Sequence, residues 1–193
     1  HRAIPMLTKV VQMANEKGII FSTRVSIDGV DEMHNSVRNV KRGFDKANET
    51  IRAMKELQKT HKFNFGISTT IFSQNLDDAE NILAWARSEN LDIVFNMVRF
   101  TEAMLGNDEL SGSLKPIGRE EERMRDFFLD RVRKDPILDG QNFIYMHYAD
   151  MISNGYHRLA PCPFMTQGIM LNPNGDLFFC ENSKVVGNVR DED

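Results

Sequence analysis

The sequence predicts an α/β protein built around a parallel sheet, on two observations. Apolar residues repeat with a helical period, then a strand period, and the alternation recurs in units of about 30 residues. Two of the strand segments also reserve one face for Ser, Thr, Asn, Asp and Gly. Alternating helices and strands join parallel strands through right-handed crossovers, which leaves few layouts. Strands packed on both sides should be near-continuous apolar runs, so the polar faces suit a hollow, ligand-lined sheet or open barrel better than a fully packed core.

Leu7, Val10, Val11 and Ala14 predict a helix over about 5–17. Lys17-Gly18 ends it with a basic last turn and a glycine suited to the left-handed cap. Phe21, Thr23, Val25 and Ile27 then alternate with Ser22, Arg24, Ser26 and Asp28, the two-residue period of a strand. Phe44, Ala47, Ile51, Met54 and Leu57 predict a helix over about 42–59. A second strand follows over 63–71, where Phe63, Phe65, Ile67, Thr69 and Ile71 oppose Asn64, Gly66, Ser68 and Thr70. Asn75 is placed to cap the next helix, with Asp77 and Asp78 in its first turn and Leu76, Ala79, Leu83 and Ala86 as its stripe. A third strand over about 92–100 carries Asn96 and Arg99 among apolar neighbours. The alternation ends there. Residues 106–118 suit a loop, 119–133 a charged surface helix with Met124, Phe127, Phe128 and Val132 inward, and 141–155 a weaker helix. Residues 168–180 suit a β-hairpin turning at Asn174-Gly175.

Composition narrows the function. A chain of 193 residues with 41% hydrophobic content can bury a sizeable core. Its 24 basic and 28 acidic side chains lack the basic excess that nucleic-acid binding needs. No long apolar run or signal-peptide pattern appears, so a cytoplasmic protein without membrane association is expected. Two cysteines do not make a disulfide scaffold, and a thiol pair in a reducing compartment more often serves metal or redox chemistry.

Two constellations stand out. The first is Ser26-Ile27-Asp28-Gly29, followed by His34-Asn35, Arg38 and Gly43-Phe44. Ser26 lies on the polar face, and the Arg38 guanidinium suits a carboxylate. Taken alone, this stretch reads as a strand-terminal turn in which Asp28 accepts local N–H groups, with His34 and Arg38 on an exposed helical edge. The second is Cys162, then Gly175, then Cys180, spanning the hairpin so that its two ends bring thiols together. Thiolates are the ligands iron–sulfur clusters use, and a zinc half-site or a plain thiol pair is the alternative.

Read together, these residues resemble radical S-adenosylmethionine enzymes carrying a C-terminal SPASM or twitch-type cysteine domain. The family's fourth barrel strand reads like Ser-Leu-Asp-Gly, followed by His-Asp, an Arg and a Gly-x-Phe. This chain departs from it with Asn35 in place of Asp and Asn39 where Gly commonly follows the Arg. The resemblance implies the second half of a partial (β/α)6 TIM-like barrel over 1–158, with a helical extension, and the start of a cysteine domain over 159–193. It implies S-adenosylmethionine as cofactor, with Ser26, Asp28, Arg38, Thr70 and Asn96 in contact and Arg99 beside the channel. Asp28 would brace the turn or the neighbouring Arg24.

It also implies a [4Fe–4S] cluster on a Cys-x3-Cys-x2-Cys loop that this sequence lacks, expected to precede His1 in a longer protein. Cys162 and Cys180 would be ligands of an auxiliary iron–sulfur cluster. A small-molecule or peptide substrate and an electron donor such as flavodoxin or ferredoxin are the implied partners. A non-radical (β/α) barrel enzyme on a small polar metabolite, or a non-catalytic scaffold, are the rival readings. Val185-Val186-Gly187-Asn188-Val189 resembles the Gly-Asn segment that follows in these domains. His147, His157, the run Glu120-Glu121-Glu122 and Trp85 are expected to be structural.

Overall fold

The computed structural model describes residues 3–100, 106–134, 139–157, 168–180 and 183–191. The chain is mixed α/β and divides into two units, His1–Met97 and Val98–Asp193. In the first, α1 (Ala3–Glu16) leads to β1 (Ser22–Ser26), α2 (Glu32–Arg38), α3 (Gly43–Gln58), β2 (Asn64–Ile71), α4 (Ala79–Ser88) and β3 (Asp92–Met97). The three strands are parallel in the order β1-β2-β3, with Ser26 opposite Ser68 and Thr70 opposite Asn96. Parallel strands adjacent in sequence order, joined by right-handed crossovers, put their helices on one face. Burial agrees: Ile27, Ile67, Thr69, Ile71, Ile93, Phe95 and Met97 are buried on that face. The opposite face carries Arg24, Ser26, Ser68, Thr70, Val94 and Asn96, all exposed or half-exposed.

The helices follow their sequence periods with one adjustment. α1 turns Leu7, Val11 and Ala14 inward while Val10 is 39% exposed, so the buried stripe is narrower than the apolar pattern. Val11 joins Met54 of α3 and Phe63 in a small core with Leu7, Phe21, Val25, Leu57 and Phe65. Each large apolar side chain fully buried in this way contributes roughly 1.5–3 kcal/mol.

Four of the described helices end by one device. Gly18, Asn39, Asn90 and Gly155 take positive φ, and the next residue's N–H reaches back five positions, Ile19 to Ala14, Val40 to Asn35, Leu91 to Ala86 and Tyr156 to Met151. α2 is a full helix whose His34 is buried, which corrects the expected exposed edge.

In the second unit, the expected loop 106–118 contains a 3₁₀ turn, Asp108–Leu110, and a short helix, α5 (Ser111–Leu114). α6 (Arg119–Lys134) and α7 (Asp139–Ser153) pack through Met124, Phe127, Phe128, Tyr145, Ala149 and Ile152. Phe128 lies 5.6 Å from Tyr145 and 5.1 Å from Tyr148, ring centre to ring centre. α6 is thus more than a surface helix.

The small antiparallel sheet of β4 (Met170–Leu171), β5 (Asp176–Phe178) and β6 (Gly187–Asn188) contains the expected hairpin and adds the Gly-Asn segment as its third strand. Asn172 builds the turn, its Oδ1 accepting from the N–H groups of Asn174 and Asp176, both at 2.9 Å. Gly175 has φ +91°, and a Cβ there would lie 2.8 Å from Asn188 Oδ1. Only glycine fits.

Candidate functional site

The carboxyl ends of β1, β2 and β3 carry the candidate residues on one face. Ser26, Ser68 and Thr70, and Asn96, follow from the two-residue strand period and the parallel register. Asn96 Nδ2 donates to Ser68 Oγ at 2.9 Å, which leaves its Oδ1 available. Among the described residues, the hydroxyls of Ser26 and Thr70 have no hydrogen-bond partner. A row of unsatisfied small polar groups is arranged to meet solvent or a polar ligand. Arg24 closes the amino end of this face: it crosses over Gly66 to Asp92 Oδ2 at 3.0 Å and donates to Ile67 O at 3.2 Å. A Cβ on Gly66 would sit 2.4 Å from Asp92 O and 3.0 Å from Arg24 Nη1, so the glycine makes room for the crossing.

Asp28 is the hub of the rim. Its Oδ2 pairs with Arg38 Nη2 at 2.5 Å, and its Oδ1 accepts from Thr70 N–H at 3.0 Å. The brace is therefore to Arg38 and to β2, while Arg24 is committed to Asp92. The acceptor role expected from a strand-terminal turn is kept, but the donor is 42 residues away. The Asp28 carboxylate is 7% exposed and the Arg38 side chain 43%, so the guanidinium lies partly in solvent at the edge of the face. Arg24 with Asp92 and Arg38 with Asp28 cancel in formal charge, and the face is dipolar without net charge.

Periodicity did not single out two of the residues that organise this rim. Asn75, expected as a helix cap, makes no side-chain cap bond. It is fully buried, its Nδ2 donating to Asp28 O at 3.0 Å and Thr70 O at 2.8 Å and its Oδ1 accepting from Phe72 N–H at 2.9 Å. It thereby ties the ends of β1 and β2. His34 is the second, its Nδ1 accepting from the Asp28 N–H at 3.1 Å. Burial holds its imidazole below the ordinary value of 6.5, Asp28 opposing and Arg38 adding to that. Asp78 Oδ2 accepts from Val30 N–H at 2.6 Å and anchors the same loop from the turn before α4.

Both departures from the family's motif have a physical account. Asn35 Oδ1 accepts from Phe44 N–H at 2.9 Å, a role a carboxylate oxygen fills equally. Asn39 has φ 49° and ψ 41°, the left-handed conformation that Gly and Asn adopt most readily.

The remaining candidates belong to the second unit or fall outside the described residues. Arg99, two residues past β3, is exposed and belongs to the second unit. Cys162 falls outside the described residues. Cys180 is half-buried, and the Ser183 hydroxyl fixes its backbone, accepting from Cys180 N–H at 3.2 Å and donating to Cys180 O at 3.0 Å. Among the described residues no group of three or more His, Cys, Asp or Glu is placed to hold a metal, and no helix is long and apolar enough to cross a membrane. A cavity of about 380 Å³ opens at the opposite, amino end of the sheet, lined by Asn15, Ile19, Phe21 and Lys62 among others. None of the rim residues lines it. No protein-family model, curated protein or solved structure matches the chain.

Proposed function

We propose that the chain is part of a radical S-adenosylmethionine enzyme, its sheet one segment of an incomplete (β/α)6 barrel and its polar face the cofactor's seat. The observation that carries this reading is the row Ser26, Thr70 and Asn96 across three strand ends, beside the ion-paired Asp28 and Arg38. A dipolar face without net charge complements a zwitterionic amino-acid group and a hydroxyl-bearing ribose. Arg38, held in place by the buried Asp28 carboxylate, matches the carboxylate of the first by its planar fork. Ser26, Thr70 and the free oxygen of Asn96 suit hydroxyls. The pair of Arg24 and Asp92 sets the depth of the seat.

Bound and reduced through the [4Fe–4S] cluster of such enzymes, with flavodoxin or ferredoxin as electron donor, the cofactor supplies a 5′-deoxyadenosyl radical for hydrogen abstraction from a small-molecule or peptide substrate. The chain's own residues orient the cofactor and keep water from it. Cys162 and Cys180 would contribute two of the four thiolates of an auxiliary cluster.

The test is anaerobic reconstitution, with iron and sulfide, of the natural protein that contains these residues, followed by reduction with S-adenosylmethionine present. The expected result is 5′-deoxyadenosine release, reduced at least about tenfold in a Ser26→Ala, Asn96→Ala double variant, since each lost bond costs about 1 kcal/mol. A colourless protein releasing no 5′-deoxyadenosine returns the reading to a non-radical barrel enzyme or a scaffold.

A further inference from the structure

Every polar part of Asp28 is held by a different group. Its carbonyl goes to Asn75 Nδ2, its two carboxylate oxygens to Thr70 N–H and Arg38, and its N–H to His34 Nδ1. The last contact differs in kind from the others. An imidazole nitrogen accepts a hydrogen bond only when it carries no proton, so the geometry requires neutral His34 with its hydrogen on Nε2. The loop leaves no slack around it: a Cβ on Gly29 would lie 2.4 Å from Met33 Cγ and 2.6 Å from His34 N. His34 is 4% exposed, so water does not stand in for the lost acceptor.

The charged groups acting on the ring are Asp28 and Arg38. From α3 it meets Gly43 and, at 6.0 Å between ring centres, Phe44, neither of them charged. Asp78, from the turn before α4, is committed to Val30 N–H of the same loop.

We propose that His34 is a positioning residue and proton-controlled latch for the rim: neutral, it fixes Asp28 where the carboxylate holds Arg38, and protonated, it releases both. A proton on Nδ1 sets one donor against another at 3.1 Å, so the Asp28 backbone turns away and draws its carboxylate from Arg38. Acidification therefore frees the Arg38 guanidinium at the edge of the polar face. The inference rests on the geometry of this loop and holds for any ligand the face accepts.

Heteronuclear NMR of the 193-residue chain between pH 8 and pH 5 tests it. At pH 8 the His34 ring is expected as the Nε2–H tautomer. The Asp28 amide and Arg38 Nε–H signals should then titrate together with His34, at one shared midpoint below 6.5. The four other histidines serve as internal references that leave Asp28 unmoved. His34→Asn, whose side-chain oxygen offers an acceptor that does not titrate, should abolish the transition at Asp28 and Arg38. A proton on Nδ1 at pH 8 would overturn the proposal. So would Asp28 and Arg38 signals that ignore the His34 midpoint, or a transition that survives in His34→Asn.

Discussion

Replacing Asn75 by Ala isolates the tie between the two strand ends. The side chain is fully buried and makes three hydrogen bonds to backbone, two donated to the carbonyls of Asp28 and Thr70 and one accepted from Phe72 N–H. Each is worth about 1 kcal/mol net, and truncation strands all three partners where water has poor access, so the loss should be about 3 kcal/mol. For a unit of this size that lowers the thermal midpoint by on the order of 15 °C. Trp85, the only tryptophan, sits in α4 at 5.2 Å from Phe44 between ring centres, so its emission during urea unfolding reports on the first unit alone.

Asn75→Asp sharpens the experiment. It keeps the shape but aims an oxygen at two carbonyls, so the folded state favours the protonated acid and raises that pKa above the unfolded value of about 3.9. The variant should come closest to the parent protein at acid pH and lose stability as pH rises through the raised value. A loss below about 1 kcal/mol in Asn75→Ala, with Phe72 amide exchange unchanged, would refute the reasoning.

Gly66→Ala should cost about 1–3 kcal/mol by Trp85 emission, because its Cβ meets backbone of β3 and the crossing Arg24. Arg38→Met strips Asp28 of its ion partner but leaves Thr70 N–H, and with Arg38 partly exposed the loss should be about 1–2 kcal/mol, less than for a fully buried pair. The lowered His34 pKa fixes the sign of a pH effect: its contribution is complete above the unfolded value near 6.5 and is lost as pH falls through the folded value. Urea midpoints of the first unit between pH 8 and 5 should follow that course, and His34→Asn should flatten it over the same window.

The rim gathers an ion pair, a buried amide and a buried imidazole around one aspartate, and this density distinguishes it from an ordinary strand-end turn. A turn is satisfied by local N–H groups. Asp28 instead takes its carboxylate donors from β2 and from the end of α2, and its backbone partners are Asn75 and His34, so four residues from three segments converge on it. Such convergence fixes the direction of Arg38, the one charged side chain of the group that reaches solvent to a large extent. A ligand meeting the face finds a guanidinium already oriented, which lowers the ordering cost of binding.

The order of helices and strands, the parallel sheet and the polar face were legible in the sequence because each rests on a local period. A strand that alternates Ser26 with Ile27 shows two different sides wherever it is placed, and Gly18 and Gly175 mark turns that demand positive φ. What the periods could not give is which groups a polar residue meets when its partner is distant. Asn75 looks like a cap because Asp77 and Asp78 follow it, yet its bonds run to Asp28, 47 residues back, and to Thr70. His34 looks like a surface residue of a short helix until Gly29 lets that helix close on the strand end. The preference for helix or strand is set within a few residues, whereas burial and hydrogen-bond partnership are set by whatever the chain's return brings alongside, and the tertiary structure alone decided those.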